Sequence, residues 1–115
     1  MNNKKILLTE DDANNRYLLK LFLTKKGFEV HTAESVAEAL ELISESEYDL
    51  YITDIILKGE LTGDMLVSAG LEPTIVLTAF EFKPEDFDHV TYIQKPFKMD
   101  FLLETINNLI DKPNT

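Results

Sequence analysis

Glu10-Asp11-Asp12, Asp54, Thr78 and Lys95-Pro96 share one feature: each closes a short, largely apolar run. The runs are Ile6-Leu-Leu-Thr9, Asp49-Leu-Tyr-Ile-Thr-Asp54, Thr74-Ile-Val-Leu-Thr78 and Val90-Thr-Tyr-Ile-Gln94. Such runs read as buried parallel strands, and ligands of open α/β sheets gather at the carboxyl edge. A carboxylate there is a helix cap, a metal ligand or a nucleophile. Glu10 and Asp11 repel each other, and with Asp54 beside them all three would not stay ionised without a counter-charge. A hard divalent cation removes that conflict; Mg²⁺ typically takes one or two carboxylates, several waters and a phosphate. The plainer reading is that one acid caps the first helix and the others are solvated, since acids favour helix starts. Asp12 is the cap in either reading. Asp54 is the candidate nucleophile, because carboxylates can attack phosphorus to give acyl phosphates. Phosphoryl transfer asks a protein mainly for positioning and charge neutralisation. The plainer role for Asp54 is a helix cap, although Lys58-Gly59 reads better as a loop. The Thr78 hydroxyl could bond one phosphoryl oxygen, and Lys95 could neutralise another as a point charge. Taken singly, each of these signals is weak.

Strand and helix patterns alternate along the chain, which favours an α/β parallel sheet. The first strand is Lys5 to Thr9. Helix 1 is expected over Ala13 to Lys26, opened by Asp12 and ended by Gly27. Its apolar face is read as Leu18, Leu21 and Phe22, with Tyr17 beside them. A short second strand spans Phe28 to Thr32. Ser35-Val-Ala-Glu38 is a capping box opening helix 2, whose Val36, Leu40 and Ile43 share a face. The third strand is Asp49 to Asp54. Gly63 to Gly70 has room for at most two helical turns before Glu72-Pro73, and Phe80 to His89 for one turn, with Pro84 placed to open it. Met99 to Ile110 is an amphipathic helix with Leu102, Ile106 and Leu109 in line. X-Pro bonds have only a small trans preference, so a cis turn is open at Lys95-Pro96, with nothing in the sequence selecting it.

The 115 residues suit one domain with one real core. No apolar run approaches the ~20 residues of a membrane span, and the first residues lack a signal peptide's apolar region. The absence of cysteine excludes disulfides and a Cys-based zinc site, and fits a cytoplasmic location. The formal charge of −10 argues against direct nucleic-acid binding, which is driven by Lys and Arg on phosphates.

Taken together and in order, the motifs Ile6-Leu-Leu-Thr-Glu-Asp-Asp12, Asp49-Leu-Tyr-Ile-Thr-Asp-Ile-Ile-Leu57, Thr74-Ile-Val-Leu-Thr-Ala79 and Tyr92-Ile-Gln-Lys-Pro-Phe97 resemble the receiver domain of bacterial response regulators, the CheY-like superfamily. The resemblance runs from Lys5 to about Ile110. It implies a flavodoxin-like, doubly wound α/β fold with a five-stranded parallel sheet in the order 2-1-3-4-5, an order for which a receiver is itself a standard example. It implies one receiver domain over residues 1–115 (core about 4–111) without an output domain. The implied metal is Mg²⁺, held by Glu10, Asp11, Asp54 and the backbone carbonyl of Ile56. Asp54 becomes the phosphoacceptor, served by a histidine kinase or histidine phosphotransfer protein, and Thr78 and Lys95 assist it. Thr78 and Tyr92 become the switch pair, the hydroxyl drawn inward and the aromatic following. Such a domain catalyses only its own phosphorylation and dephosphorylation.

Three departures stand out. Lys58 occupies a position where the family usually has Pro. The third and fourth helices of the family are short here, which remodels the usual output face. Apolar Ile56 and Phe80 stand two residues after Asp54 and Thr78, where they could obstruct water and slow dephosphorylation. The shortened helices also suit an atypical receiver that works as a phosphorylation-independent interaction module; the complete set of site residues argues against it. An Asp-nucleophile phosphatase would want a second Asp at position 56, and a flavodoxin-like electron carrier a Ser/Thr/Gly-rich loop after the first strand. The chain has neither. His31 and His89 stand isolated and receive no catalytic role.

Overall fold

The computed structural model describes residues 4–54, 56–57, 60–61, 73–79 and 90–110. Five strands, β1 (Lys5–Thr9), β2 (Glu29–Ala33), β3 (Leu50–Asp54), β4 (Thr74–Thr78) and β5 (Val90–Gln94), form one sheet in the order β2-β1-β3-β4-β5. Every pairing in it is parallel. This is the expected order. The register sets Leu8 beside Ile52, Asp54 beside Leu77 and Thr78 beside Gln94. Three helices are described: α1 (Ala13–Lys25), α2 (Val36–Glu45) and α3 (Met99–Ile110). None is long and apolar enough to cross a membrane.

Strand pleat sends alternate residues to opposite faces, and the two faces carry unequal cores. On one side Ile6, Leu8, Leu50, Ile52, Ile75, Leu77 and Ile93 pack with Leu19 and Leu23 of α1 and with Leu102 and Ile106 of α3. The other side is a smaller cluster, in which Leu7 meets Val36 and Ala39 of α2, Ala33 and Tyr48. Asp12 caps α1, its Oδ2 accepting from the Asn15 N–H at 2.8 Å, and Ser35 Oγ accepts from the Glu38 N–H at 3.2 Å. After α1, Gly27 takes φ 98°, a left-handed conformation that stops the helix at little cost.

Two helix faces differ from expectation. In α1 the buried residues are Leu19 and Leu23, with Phe22 partly buried; Tyr17, Leu18 and Leu21 are 64%, 53% and 39% exposed. Six of the seven residues from Tyr17 to Leu23 are apolar, so two stripes of helical period compete and tertiary packing chooses. In α2, Ala39 rather than Leu40 faces the sheet, and Leu40 is 41% exposed. A small residue there lets the helix lie close to β1. The stripe of α3 is as expected, with Leu102 and Ile106 fully buried and Leu109 packed at their edge.

Boundaries move by a residue at β2, β3 and the end of α1. Asp49, expected in the strand, instead accepts from the Lys5 N–H through its carboxylate at 2.8 Å. An unexpected two-residue antiparallel ladder pairs Ile56 with Leu61 and Leu57 with Glu60. The shortened third and fourth helices, Lys58 and Phe80 lie outside the described residues.

Candidate functional site at the carboxyl edge of the sheet

Because β1 and β3 are neighbours in parallel, the residues that end them arrive at the same edge. Glu10 continues the β1 ladder, its N–H donating to Ala33 O at 3.0 Å, and its side chain is 2% exposed. Asp54 ends β3 and is 8% exposed. One carboxylate oxygen from each of Glu10, Asp11 and Asp54 lies within 4.8 Å of the others. Lys95 comes in from the end of β5, where its backbone N–H donates to Thr78 O at 2.7 Å across the strand ends. Its ammonium stands 2.8 Å from Asp54 Oδ1, 2.9 Å from Oδ2 and 3.8 Å from Glu10 Oε1. The Lys95-Pro96 bond is cis.

Lys95 supplies one positive charge against three carboxylates. The shortfall registers on Glu10, whose pKa is pushed up to about 8. Burial is the first cause, followed by its hydrogen bond to Asp54 and the charge of Asp54. The Asp12 N–H, 3.3 Å from Glu10 Oε2, and Lys95 pull the other way without offsetting it. Without a cation, then, Glu10 carries a proton near neutral pH, facing Asp54. These groups suit a hard cation: their donors are all oxygen, they already converge, and the proton stands where positive charge is wanted.

The sequence pointed to Glu10, Asp11, Asp54 and Lys95, and the fold brings all four together. Thr78 is buried at the end of β4, one residue past the partner of Asp54, and half-buried Tyr92 lies on β5 beside Val76. Ile56 falls on the small ladder, opposite Leu61.

Two features escaped the sequence reading. Arg16 Nη1 donates to Glu10 O at 2.9 Å and to Asp11 O at 3.3 Å, while Nη2 pairs with Glu34 at 3.6 Å. Its place one turn after the Asp12 cap was the available clue. Beside Lys95 and Glu10 there is also a cavity of about 500 Å³, walled by Leu18, Leu77, Phe97 and Met99 among others. It draws on three separate segments, so no local pattern announces it.

Comparison with known proteins decides what this edge belongs to: residues 6–107 match the response regulator receiver domain family. The chain belongs to that family. SilR of Salmonella typhimurium, a probable transcriptional regulatory protein, is 35% identical to this receiver domain over 96% of the chain and 53% of its own length. The probable transcriptional regulator ycf29 of Pyropia yezoensis is 33% identical over 92% of the chain and 53% of its own. The chain thus spans about half the length of these curated relatives. Among solved structures, the response regulator protein TrrA of Thermotoga maritima, in complex with Mg²⁺-BeF, superposes with a TM-score of 0.75 at 35% identity, over 92% of this chain and 98% of that one. Receiver domains bind Mg²⁺ at an acidic pocket and work with histidine kinases or phosphotransfer proteins. In this one the acidic group is Glu10, Asp11 and Asp54.

Proposed function

We propose that Asp54 accepts a phosphoryl group from a phosphohistidine on a histidine kinase or histidine phosphotransfer protein, in a Mg²⁺-dependent reaction, and that the phosphorylated state changes partner binding. The supporting observation is the meeting of a nearly buried Asp54 with Glu10 and Asp11 within 4.8 Å and with the Lys95 ammonium at 2.8 Å. Glu10, Asp11, Asp54 and the backbone carbonyl of Ile56 are the proposed metal ligands. When bound, Mg²⁺ supplies charge neutralisation at the phosphoryl oxygens.

An Asp54 oxygen forms the new bond to phosphorus as the P–N bond to imidazole breaks. The bonding pair leaves on the imidazole nitrogen. Lys95, already held on the Asp54 carboxylate, is within reach of a phosphoryl oxygen there and follows the negative charge outward. The Thr78 hydroxyl bonds another phosphoryl oxygen, and Tyr92 moves with it. As physics this is a two-state equilibrium biased by one dianion and its hydrogen bonds. The complete site disfavours a phosphorylation-independent role. The setting is cytoplasmic, where the donor proteins carry phosphohistidine.

Intact-mass analysis after incubation with acetyl phosphate tests the acceptor. A single phosphoryl gain that needs Mg²⁺ and vanishes in Asp54→Asn is expected. A folded wild-type protein that gains nothing from acetyl phosphate or from a phosphohistidine donor, or a gain retained by the variant, rules the reading out.

A further inference from the structure

Asp54 is held from two ends. Lys95 grips the carboxylate, its ammonium 2.8 Å from Oδ1 and 2.9 Å from Oδ2. The second hold is on the backbone, where the Thr53 hydroxyl donates to Asp54 O at 2.9 Å. Thr53 is fully buried, and its neighbours in register are Thr9 on β1 and Val76 on β4. Valine at position 53 would fill the same space without a hydroxyl to bury, and a buried hydroxyl is costly unless it is bonded. Thr9 with Thr53 is also the last pair of the β1–β3 ladder, so Asp54 stands one residue beyond it. The hydroxyl holds the chain where that ladder stops.

We infer that Thr53 is a positioning residue for the phosphoacceptor, its hydroxyl fixing the Asp54 backbone in the orientation that in-line attack on phosphorus requires. The inference rests on Asp54 being the phosphoacceptor. A bond from the side chain of one residue to the carbonyl of the next closes a small ring. Both backbone torsions of Asp54 lie in that ring, so it sets the direction in which Cα presents the carboxylate. Successive strand residues face opposite ways. Thr53 therefore acts from the side of Leu7 and Tyr51, while the carboxylate meets Lys95 on the other. The two holds also differ in duration. Lys95 follows the negative charge outward as the phosphoryl group arrives, whereas the hydroxyl stays on a carbonyl that takes no part in the reaction. Asp54 keeps its backbone hold through the step that loosens its side-chain hold. Orientation is where this counts, since reacting atoms displaced by about 1 Å can cost on the order of 10²-fold in rate.

Two pairs of chains that differ by the hydroxyl test this: wild type against Thr53→Val, and Thr53→Ser against Thr53→Ala. Phosphorylation by acetyl phosphate at saturating Mg²⁺ is followed by intact mass, and the Asp54 carbonyl ¹³C signal is read in the metal-free protein. In each pair the chain without the hydroxyl should react about tenfold more slowly, with Thr53→Ser within about threefold of wild type. The Asp54 carbonyl signal should move upfield in Thr53→Val and Thr53→Ala, which lose its hydrogen bond, and stay near the wild-type position in Thr53→Ser. A threonine that only fills space would lower stability in Thr53→Ser as well, and would leave the rate of the folded protein unchanged. Should Thr53→Val not fold, the serine and alanine pair carries the same comparison. Rates within about twofold in the pairs that fold, or Thr53→Ser as slow as Thr53→Ala, overturn the positioning role. So does a carbonyl signal that does not follow the hydroxyl. Wild type separates the two readings. If no donor phosphorylates it, the acceptor role of Asp54 fails and the positioning role with it; if it is phosphorylated while the pairs react alike, the positioning role alone fails.

Discussion

Binding of Mg²⁺ to this domain should release a proton, and the amount follows from the geometry of the Glu10–Asp54 pair. Glu10 is 2% exposed, and its pKa is raised from 4.5 to about 8 by burial and by Asp54. One pH unit below that value, at pH 7, the metal-free site holds roughly nine-tenths of a proton. A divalent cation takes the place of that proton, so calorimetric titrations in buffers of different ionisation enthalpy should show about 0.9 proton released per Mg²⁺ at pH 7, about half at pH 8 and close to none at pH 9.5. The dissociation constant should fall about tenfold per pH unit between pH 6 and 7.5, then level off above about 8. Glu10 is the group that titrates and Asp54 is one of the causes that raise it, so Glu10→Gln or Asp54→Asn should each flatten the profile, whatever it does to affinity. An affinity independent of pH from 6 to 7.5, or an unchanged slope in Glu10→Gln, would refute the reasoning.

The same shift has a sign for stability. A raised folded pKa means a contribution fully present below about pH 4.5 and lost as pH rises through about 8. Without Mg²⁺, the melting temperature of Glu10→Gln should therefore exceed that of wild type at pH 8 and match it more closely at pH 5, as read by circular dichroism; a variant less stable at both would contradict this. Lys95→Ala removes the ammonium bonded to Asp54. At pH 8 it should cost roughly 1–3 kcal/mol in metal-free urea unfolding, and slow phosphorylation at least about tenfold. The revised face of α1 is checked by a pair of truncations. Leu23→Ala, at a fully buried position, should cost about 2–5 kcal/mol, and Leu21→Ala, 39% exposed, less than about 1 kcal/mol in the same assay. Asp12→Ala should lose about 1 kcal/mol through the cap to the Asn15 N–H, with Mg²⁺ affinity nearly unchanged.

The strands and their reactive ends were legible because both signals are local. A buried parallel strand is a short apolar run, and the residue after it is placed by chain direction alone. That is why Glu10, Asp54, Thr78 and Lys95 could be read as one edge before any contact was known. Asp12 and Ser35 were legible for a similar reason, since a cap answers to N–H groups two or three residues away. The face of α3 was legible too, and that of α1 was not. With six apolar residues in seven, α1 offers two stripes of the same period, and the choice falls to the sheet beneath it. The small ladder after Asp54 escaped as well, because two-residue strands carry too little pattern. The cavity was hidden most fully. Leu18 reads as a core residue in sequence and stands at a cavity rim in space.

The Arg16 guanidinium has a mechanical meaning beyond its hydrogen bonds. It ties the two carbonyls of the Glu10-Asp11 segment to Glu34, just past the end of β2. The segments after β1 and β2, which the chain separates by a whole helix, are thus cross-linked at one corner, with a permanently charged group as the rivet. Displacement of the acidic pair on ion binding will be shared with the start of α2, and amide signals at Glu34 and Ser35 should respond to an ion they do not touch. Under the proposed function, the acids that would receive the cation are mounted on this cross-linked corner, which leaves the proposed switch motion to the opposite side of the site, among Thr78, Tyr92 and Lys95.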